Sequence, residues 1–284
     1  MTQNEQETGR ELEGRVAVVT GASRGIGKGC AIELGARGAT VYVTGRSASE
    51  DDHPLPGTVG ATALAVTEAG GTGIAVTCDH RDDDAVAALF ARVAADHGRL
   101  DVLVNNAFLI PPELTSRLPF WEVPISNWDD MIDVGTRSAY VASVHAARVM
   151  VGQGHGLIVN ISSSGAEEYA WHVAYGVGKC ALDRLTADTA HELRSHGVTV
   201  VSLWPGFVRT ERIDLAEQAG MLPASLDLTV AESSRFTGRA AATLACDAHA
   251  IRFTGRALTS LSVAEEYGYT DLDGRLPAGP LRHR

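Results

Sequence analysis

Short, continuous apolar runs punctuate the chain at regular intervals. They are Val16-Ala17-Val18-Val19-Thr20, then 39–44, 73–78, 100–104, 156–163 and 198–203. Each is only a few residues long and rich in β-branched side chains, without the polar alternation of a half-exposed strand. Such runs predict strands buried on both faces of a parallel sheet. The stretches between them have helical polarity. Helices are expected over 28–37, 61–68, 82–97, 128–150, from about Tyr175 to His196, and over 239–246. In 82–97 the apolar Val86, Leu89, Phe90 and Val93 share one face. Strands alternating with helices predict an α/β, doubly wound parallel sheet in a single domain. That domain is expected over 14–284. Residues 1–13, polar and acidic, form a flexible tail, and the Gly/Pro-rich end from Tyr267 is expected to be partly loose.

Composition narrows the function classes. The 284 residues carry a formal net charge of −11. This argues against a nucleic-acid or anionic-membrane surface. A phosphate-bearing ligand must then be held by local cations or backbone amides. Cys30, Cys78, Cys180 and Cys246 have neither metal-ligand nor redox-motif spacing and read as reduced thiols of a cytosolic protein. Cys180, beside Lys179, has the alternative of being reactive. No apolar run is long enough to span a bilayer, and the N-terminus has no apolar core of a signal peptide.

The first strand runs into Gly21-Ala22-Ser23-Arg24-Gly25-Ile26-Gly27 and then a helix. A strand, a glycine turn and a helix make a phosphate cradle: Gly21 permits the tight turn, and Gly25 and Gly27 let backbone and helix approach a pyrophosphate. After the second strand, Thr44, Gly45 and Arg46 stand where an acid would bond a ribose 2′-hydroxyl. Two guanidinium groups, Arg24 and Arg46, suit a 2′-phosphate instead. This favours NADP over NAD. Later in the chain, Tyr175 and Lys179 lie four residues apart and share a helix face. A phenol beside an ammonium, which lowers its pKa, can exchange a proton with an alcohol or ketone oxygen.

Thr20-Gly21-x-x-x-Gly25-Ile26-Gly27, Asn105-Asn106-Ala107, Ser162-Ser163, Tyr175-x-x-x-Lys179 and Pro205-Gly206-x-Val208-x-Thr210 together resemble the short-chain dehydrogenase/reductase family. The resemblance spans roughly residues 14–267. Its subgroup flavour, in segments such as Tyr-Gly-Val-Gly-Lys and Ser-Leu-Trp-Pro-Gly, is that of dehydrogenase/reductase member 1. It implies a Rossmann fold and an NADP(H)-dependent enzyme interconverting a carbonyl compound and its secondary alcohol. Tyr175 is the implied general acid/base, Lys179 its tuner and holder of the nicotinamide ribose, and Ser163 the donor to the substrate oxygen, with Ser162 in reserve. Cofactor contacts are implied for Gly21, Ser23, Arg24, Gly25, Ile26, Gly27, Arg46, Asp79 (adenine), Asn105, Ala107, Tyr175, Lys179, Pro205, Gly206, Val208 and Thr210.

The chain departs from the family pattern twice. Phe108 follows Asn-Asn-Ala where glycine is usual, and Gly135 stands where many members have a catalytic Asn. Phe108 either shapes the substrate side or packs inward. Gly135 leaves the usual water-mediated proton path without its side chain. The loops 108–127 and about 207–236 are expected to shape the substrate site, and Trp171 and His172 to edge it. Their apolar residues suggest a hydrophobic carbonyl or alcohol substrate. The resemblance also implies a homodimer or homotetramer. Two alternatives remain at this point: a non-catalytic dinucleotide-binding sensor on the same fold, for which Gly135 speaks, and an NAD-linked alcohol dehydrogenase, which Arg24 and Arg46 oppose.

Overall fold

The computed structural model describes residues 9–116, 118–222 and 226–279. Seven parallel strands form the central sheet in the order β3-β2-β1-β4-β5-β6-β9. They are β1 (Val16–Val19), β2 (Thr40–Gly45), β3 (Thr72–Thr77), β4 (Val102–Asn105), β5 (Gly156–Ile161), β6 (Val198–Trp204) and β9 (Ala257–Thr259). Between them run α1 (Gly25–Ala36), α2 (Val59–Glu68), α3 (Asp83–His97), α4 (Ser126–Met131), α5 (Ser138–Gln153) and α6 (Val173–Leu193). Beyond β6 come β7 (Val208–Arg209), α7 (Glu211–Gln218), β8 (Glu232–Ser233), α8 (Ser234–Cys246) and α9 (Ser260–Tyr267). β7 and β8 pair as a separate two-stranded ribbon.

Strand alternation explains the two apolar layers. Ala17 and Val19 of β1 point to one face, packing with Val41, Val43, Leu34 and Leu244. Val16 and Val18 point to the other, with Tyr42, Leu103, Phe90 and Met150. Every residue of β1, β4 and β6 is buried, as their unbroken apolar runs require. The strand order reverses between β1 and β4, and in such sheets the crevice beyond the carboxyl ends at that point is the natural ligand site.

Three expectations change. Of the tail expected over 1–13, residues 1–8 lie outside the described residues, but Leu12 is 2% exposed, and its amide donates to the Arg37 carbonyl. An apolar side chain inside a polar stretch is enough to dock this turn on the core. The C-terminal segment is likewise tied down as far as it is described. Asp271 accepts from the Ser233 amide and hydroxyl at 2.7 and 2.5 Å, and Tyr269 packs on Phe236. Finally, the single helix expected over 128–150 is interrupted. Between α4 and α5, Ile132–Arg137 winds as a π turn, with Gly135 buried inside it. Among the described residues no helix is long and apolar enough to cross a membrane.

Candidate active site

The glycine loop lies where β1 meets α1. Gly21 has φ +62°, and a Cβ there would stand 2.7 Å from the Ala107 Cα. Only glycine lets the β1 and β4 ends approach so closely. Thr20 Oγ1 accepts from the Asn106 and Ala107 amides, and Asn106 Nδ2 donates back to the Thr20 and Gly21 carbonyls. A Cβ on Gly27 would meet that same Asn106 amide at 2.4 Å. Gly27 therefore serves helix–strand packing rather than the cavity wall. Asn105 turns away too: its amide donates to Ser143 and to Asn160 at 3.0 and 2.8 Å, tying β4 to β5.

A cavity of about 650 Å³ opens along these strand ends. Its wall includes Gly21, Ser23, Arg24, Gly25, Ile26, Arg46, Asp79, Ala107 and Thr210, all sequence candidates. Its size suits an organic cofactor. The Arg24 guanidinium donates to Ser47 Oγ, the Pro56 carbonyl and the Gly57 carbonyl, while Arg46 is exposed. Burial lowers the Arg24 pKa from its ordinary value, with the Glu211 and Glu50 charges opposing. Asp79 accepts from the Arg81 amide and guanidinium.

The wall also includes residues that sequence reasoning passed over. His80, taken as plain loop, is buried there. Glu211 accepts the Gly25 amide at 2.9 Å, at the very start of α1. Glu211 directly follows the Thr210 motif residue, but nothing in the one-dimensional pattern shows β7 folding back over the glycine loop. Pro205, Gly206 and Val208 lie outside this cavity's wall. The Gly206 amide donates to Glu232, a carboxylate that also accepts from Thr237 and Ser260 and so fixes the turn after β6.

Ser163, Tyr175 and Lys179 converge beyond Phe108. Tyr175, in the first turn of α6, donates its hydroxyl to Ser163 Oγ at 2.8 Å. Ser163 Oγ also accepts the Gly165 amide, so its own proton is free to point outward. Ser162 instead donates to the Lys179 carbonyl and is buried. Of the two serines, Ser163 is the one whose hydroxyl proton is uncommitted. Lys179 is buried, and its ammonium donates to the Ile161 carbonyl at 3.0 Å. Burial pushes its pKa down to about 8, with the Asp183 charge opposing. Burial raises the Tyr175 pKa, and the hydrogen bond with Ser163 pulls it back. The lowering expected from Lys179 does not prevail here, because the ammonium lies 5.8 Å from the Tyr175 ring centroid and bonds elsewhere. Phe108 joins the two halves. It lines the cavity, and its ring meets Tyr175 edge-on with centroids 5.9 Å apart.

Comparison with known proteins agrees with this geometry. The family model for short chain dehydrogenase matches residues 15–219. The chain belongs to the short-chain dehydrogenase family. It is 45% identical over 274 residues to the mouse (Mus musculus) dehydrogenase/reductase SDR family member 1, covering 93% of this chain and 85% of that one. It is 35% identical over 224 residues to the cis-4-hydroxycyclohexanecarboxylate dehydrogenase of Sinomonas cyclohexanicum, covering 78% and 82%. Among solved structures, a short chain dehydrogenase of Mycobacterium thermoresistibile superposes with a TM-score of 0.80 at 28% identity, covering 96% and 95%. Family members are oxidoreductases that use a nicotinamide dinucleotide. The glycine cradle and the cavity along the strand ends fit such a group.

Proposed function

We propose that the protein is an NADP(H)-dependent oxidoreductase interconverting a hydrophobic carbonyl compound and its secondary alcohol. The observation that carries this reading is the 2.8 Å contact between Tyr175 and Ser163 over a buried Lys179. Arg24 and Arg46 line the cavity near the end of β2, and their charge supports a 2′-phosphate there. When bound, the reduced nicotinamide supplies the hydride; orientation and proton handling fall to the protein. Ser163, its oxygen already accepting two hydrogen bonds, turns its proton toward the substrate oxygen. Tyr175 holds the proton that this oxygen takes up in reduction. Lys179 keeps a positive charge behind the phenol and helps hold the cofactor ribose. The same groups run in reverse for alcohol oxidation.

Exposed apolar side chains on the 109–127 loop and just before α6, among them Ile110, Phe120, Trp121 and Trp171, support a hydrophobic substrate. Exposed Tyr140, Val173 and Val177 on α5 and α6 support assembly with further copies of this chain, as a homodimer or homotetramer. A cytoplasmic enzyme with reduced thiols completes the reading.

The test compares wild type and Tyr175→Phe in NADPH and NADH titrations and on a panel of hydrophobic ketones. The expected result is NADPH preference in both proteins, with turnover in wild type alone. Full turnover by Tyr175→Phe would remove the proposed acid, and tighter binding of NADH would remove the phosphate assignment.

A further inference from the structure

The two positions at which the sequence departs from the family pattern touch each other. Gly135 lies in the π turn between α4 and α5, and a Cβ built on it would stand 3.0 Å from Phe108 Cδ2 and 3.4 Å from Cε2. The Phe108 ring thus occupies the space that a side chain at 135 would need. The same ring faces Lys179, whose Nζ lies 4.7 Å from its centroid, and it meets Tyr175 at an interplanar angle of 79°.

The surroundings of Lys179 show why a ring matters here. An ammonium has three donors. One goes to the Ile161 carbonyl. The side chain is 7% exposed, so little water is available for the others. A buried ammonium without partners is costly, and an aromatic face is one of the few apolar groups that attracts a cation. Tyr175 and Asp183, both on α6, are the titratable groups facing it. β5 contributes the Ile161 carbonyl. The π turn contributes Thr136, whose hydroxyl is spent on the Gly178 carbonyl. The charged residues of that turn, Asp133 and Arg137, are exposed, and Arg137 is paired with Asp83.

We propose that Phe108 is a positioning residue for the proton-transfer pair, holding the Lys179 ammonium on its ring face and Tyr175 against its edge, and that Gly135 is the opening that admits the ring. The role in catalysis rests on the function proposed above, whereas the contact itself does not. Phe108 and Gly135 are therefore one device built from two substitutions, and neither works without the other. The ring sits where the cavity meets Ser163 and Tyr175, so it fixes the pair before any substrate arrives.

The chain is well suited to a direct test, because Lys28 and Lys179 are its two lysines. Protein labelled with ¹³C at lysine Cε gives two side-chain resonances, assigned with Lys28→Arg. The Lys179 resonance is then titrated with no cofactor or substrate present. Wild type, Phe108→Tyr and Phe108→Trp, which keep an aromatic face, are expected to titrate together. Phe108→Leu, which fills space without a π system, is expected to bind the proton at least about tenfold more weakly. Gly135→Ala displaces the ring and shifts the titration in the same direction, and combining it with Phe108→Leu adds little. Unchanged titration in Phe108→Leu, or an equal shift in Phe108→Trp, would overturn the proposal. The pH dependence of ketone reduction by the same variants gives the catalytic half. If no variant and no wild type turns over, the functional reading fails while the Lys179 titration still decides the contact.

Discussion

The Gly25 amide, first in α1, donates to Glu211 Oε2 at 2.9 Å, so a carboxylate from α7 sits on the helix end that the glycine loop presents. Helix N-termini attract anions through free amides and the aligned peptide dipoles. In the proposed function the same amides receive the cofactor pyrophosphate, and Glu211 competes with it by place and by charge. Lys28, 3.8 Å from the other carboxylate oxygen, offsets that charge only in part. Glu211→Gln is therefore expected to tighten NADPH binding by about 2- to 5-fold, the typical range of one charge at a helix terminus. Fluorescence titration reads this directly. Weaker binding in the variant would mean that Glu211 supports the cofactor rather than competing with it.

Arg24 and Arg46 differ in what they already hold, which separates their expected phenotypes. Arg24 braces Ser47, Pro56 and Gly57, so its loss disturbs the loop for either dinucleotide. Arg46 is exposed at the end of β2. Arg46→Ala is expected to weaken NADPH about tenfold or more and leave NADH nearly unchanged, while Arg24→Ala weakens both. Binding isotherms for the four pairs decide it. Equal losses for NADPH and NADH in Arg46→Ala would show that it does not read the phosphate.

Lys179 sets an alkaline boundary. Burial lowers its pKa to about 8, so above that pH the charge behind Tyr175 disappears. Ketone reduction is expected to fall as pH rises through about 8. Asp183, one turn further along α6, opposes the lowering and is held by Ser202 and the Trp204 indole. Asp183→Asn removes the opposing charge while retaining hydrogen-bonding atoms. Its alkaline limb should lie at lower pH, by roughly one unit. A limb that stays put would show that another group governs it.

The sequence revealed what repeats along one dimension. Continuous β-branched runs exposed the strands, and Tyr175 and Lys179 were visible as an i, i+4 pair. The Asp183 relationship was equally available, since it stands four residues after Lys179. Contacts between distant segments were not. Phe108 against Gly135 and Glu211 against Gly25 join residues whose spacing carries no pattern, and they exist only because the parallel sheet brings separate strand ends to one edge. The π turn was hidden for a related reason: helical polarity continues through Ile132–Arg137, and one extra residue per turn leaves the apolar stripe almost intact. Docking of Leu12 and Tyr269 depended on single residues inside otherwise polar or glycine-rich stretches.

His80 makes the fold acid-sensitive. Its Nε2 lies 2.8 Å from Thr44 Oγ1, and the Thr44 hydroxyl donates to the Val19 carbonyl. With that proton committed, Nε2 must carry the hydrogen and Nδ1 must be bare. Nδ1 is buried, with no partner among the described residues. Protonation would place an N–H where nothing accepts it, and burial accordingly drives the His80 pKa down to about 4, against a small opposing effect of Asp79. An unfolded chain takes up this proton near pH 6.5, so between about 6.5 and 4 it binds more protons than the folded chain. Stability therefore rises with pH across that window and is lost on acidification. His80 alone should cost about 2 kcal/mol between pH 7 and 5. His80→Gln can keep a donor to Thr44 without titrating. Whatever its starting value at pH 7, its urea-unfolding free energy declines less steeply on acidification, so that it gains about 2 kcal/mol relative to wild type by pH 5. Parallel decline of the two proteins would place the acid sensitivity elsewhere.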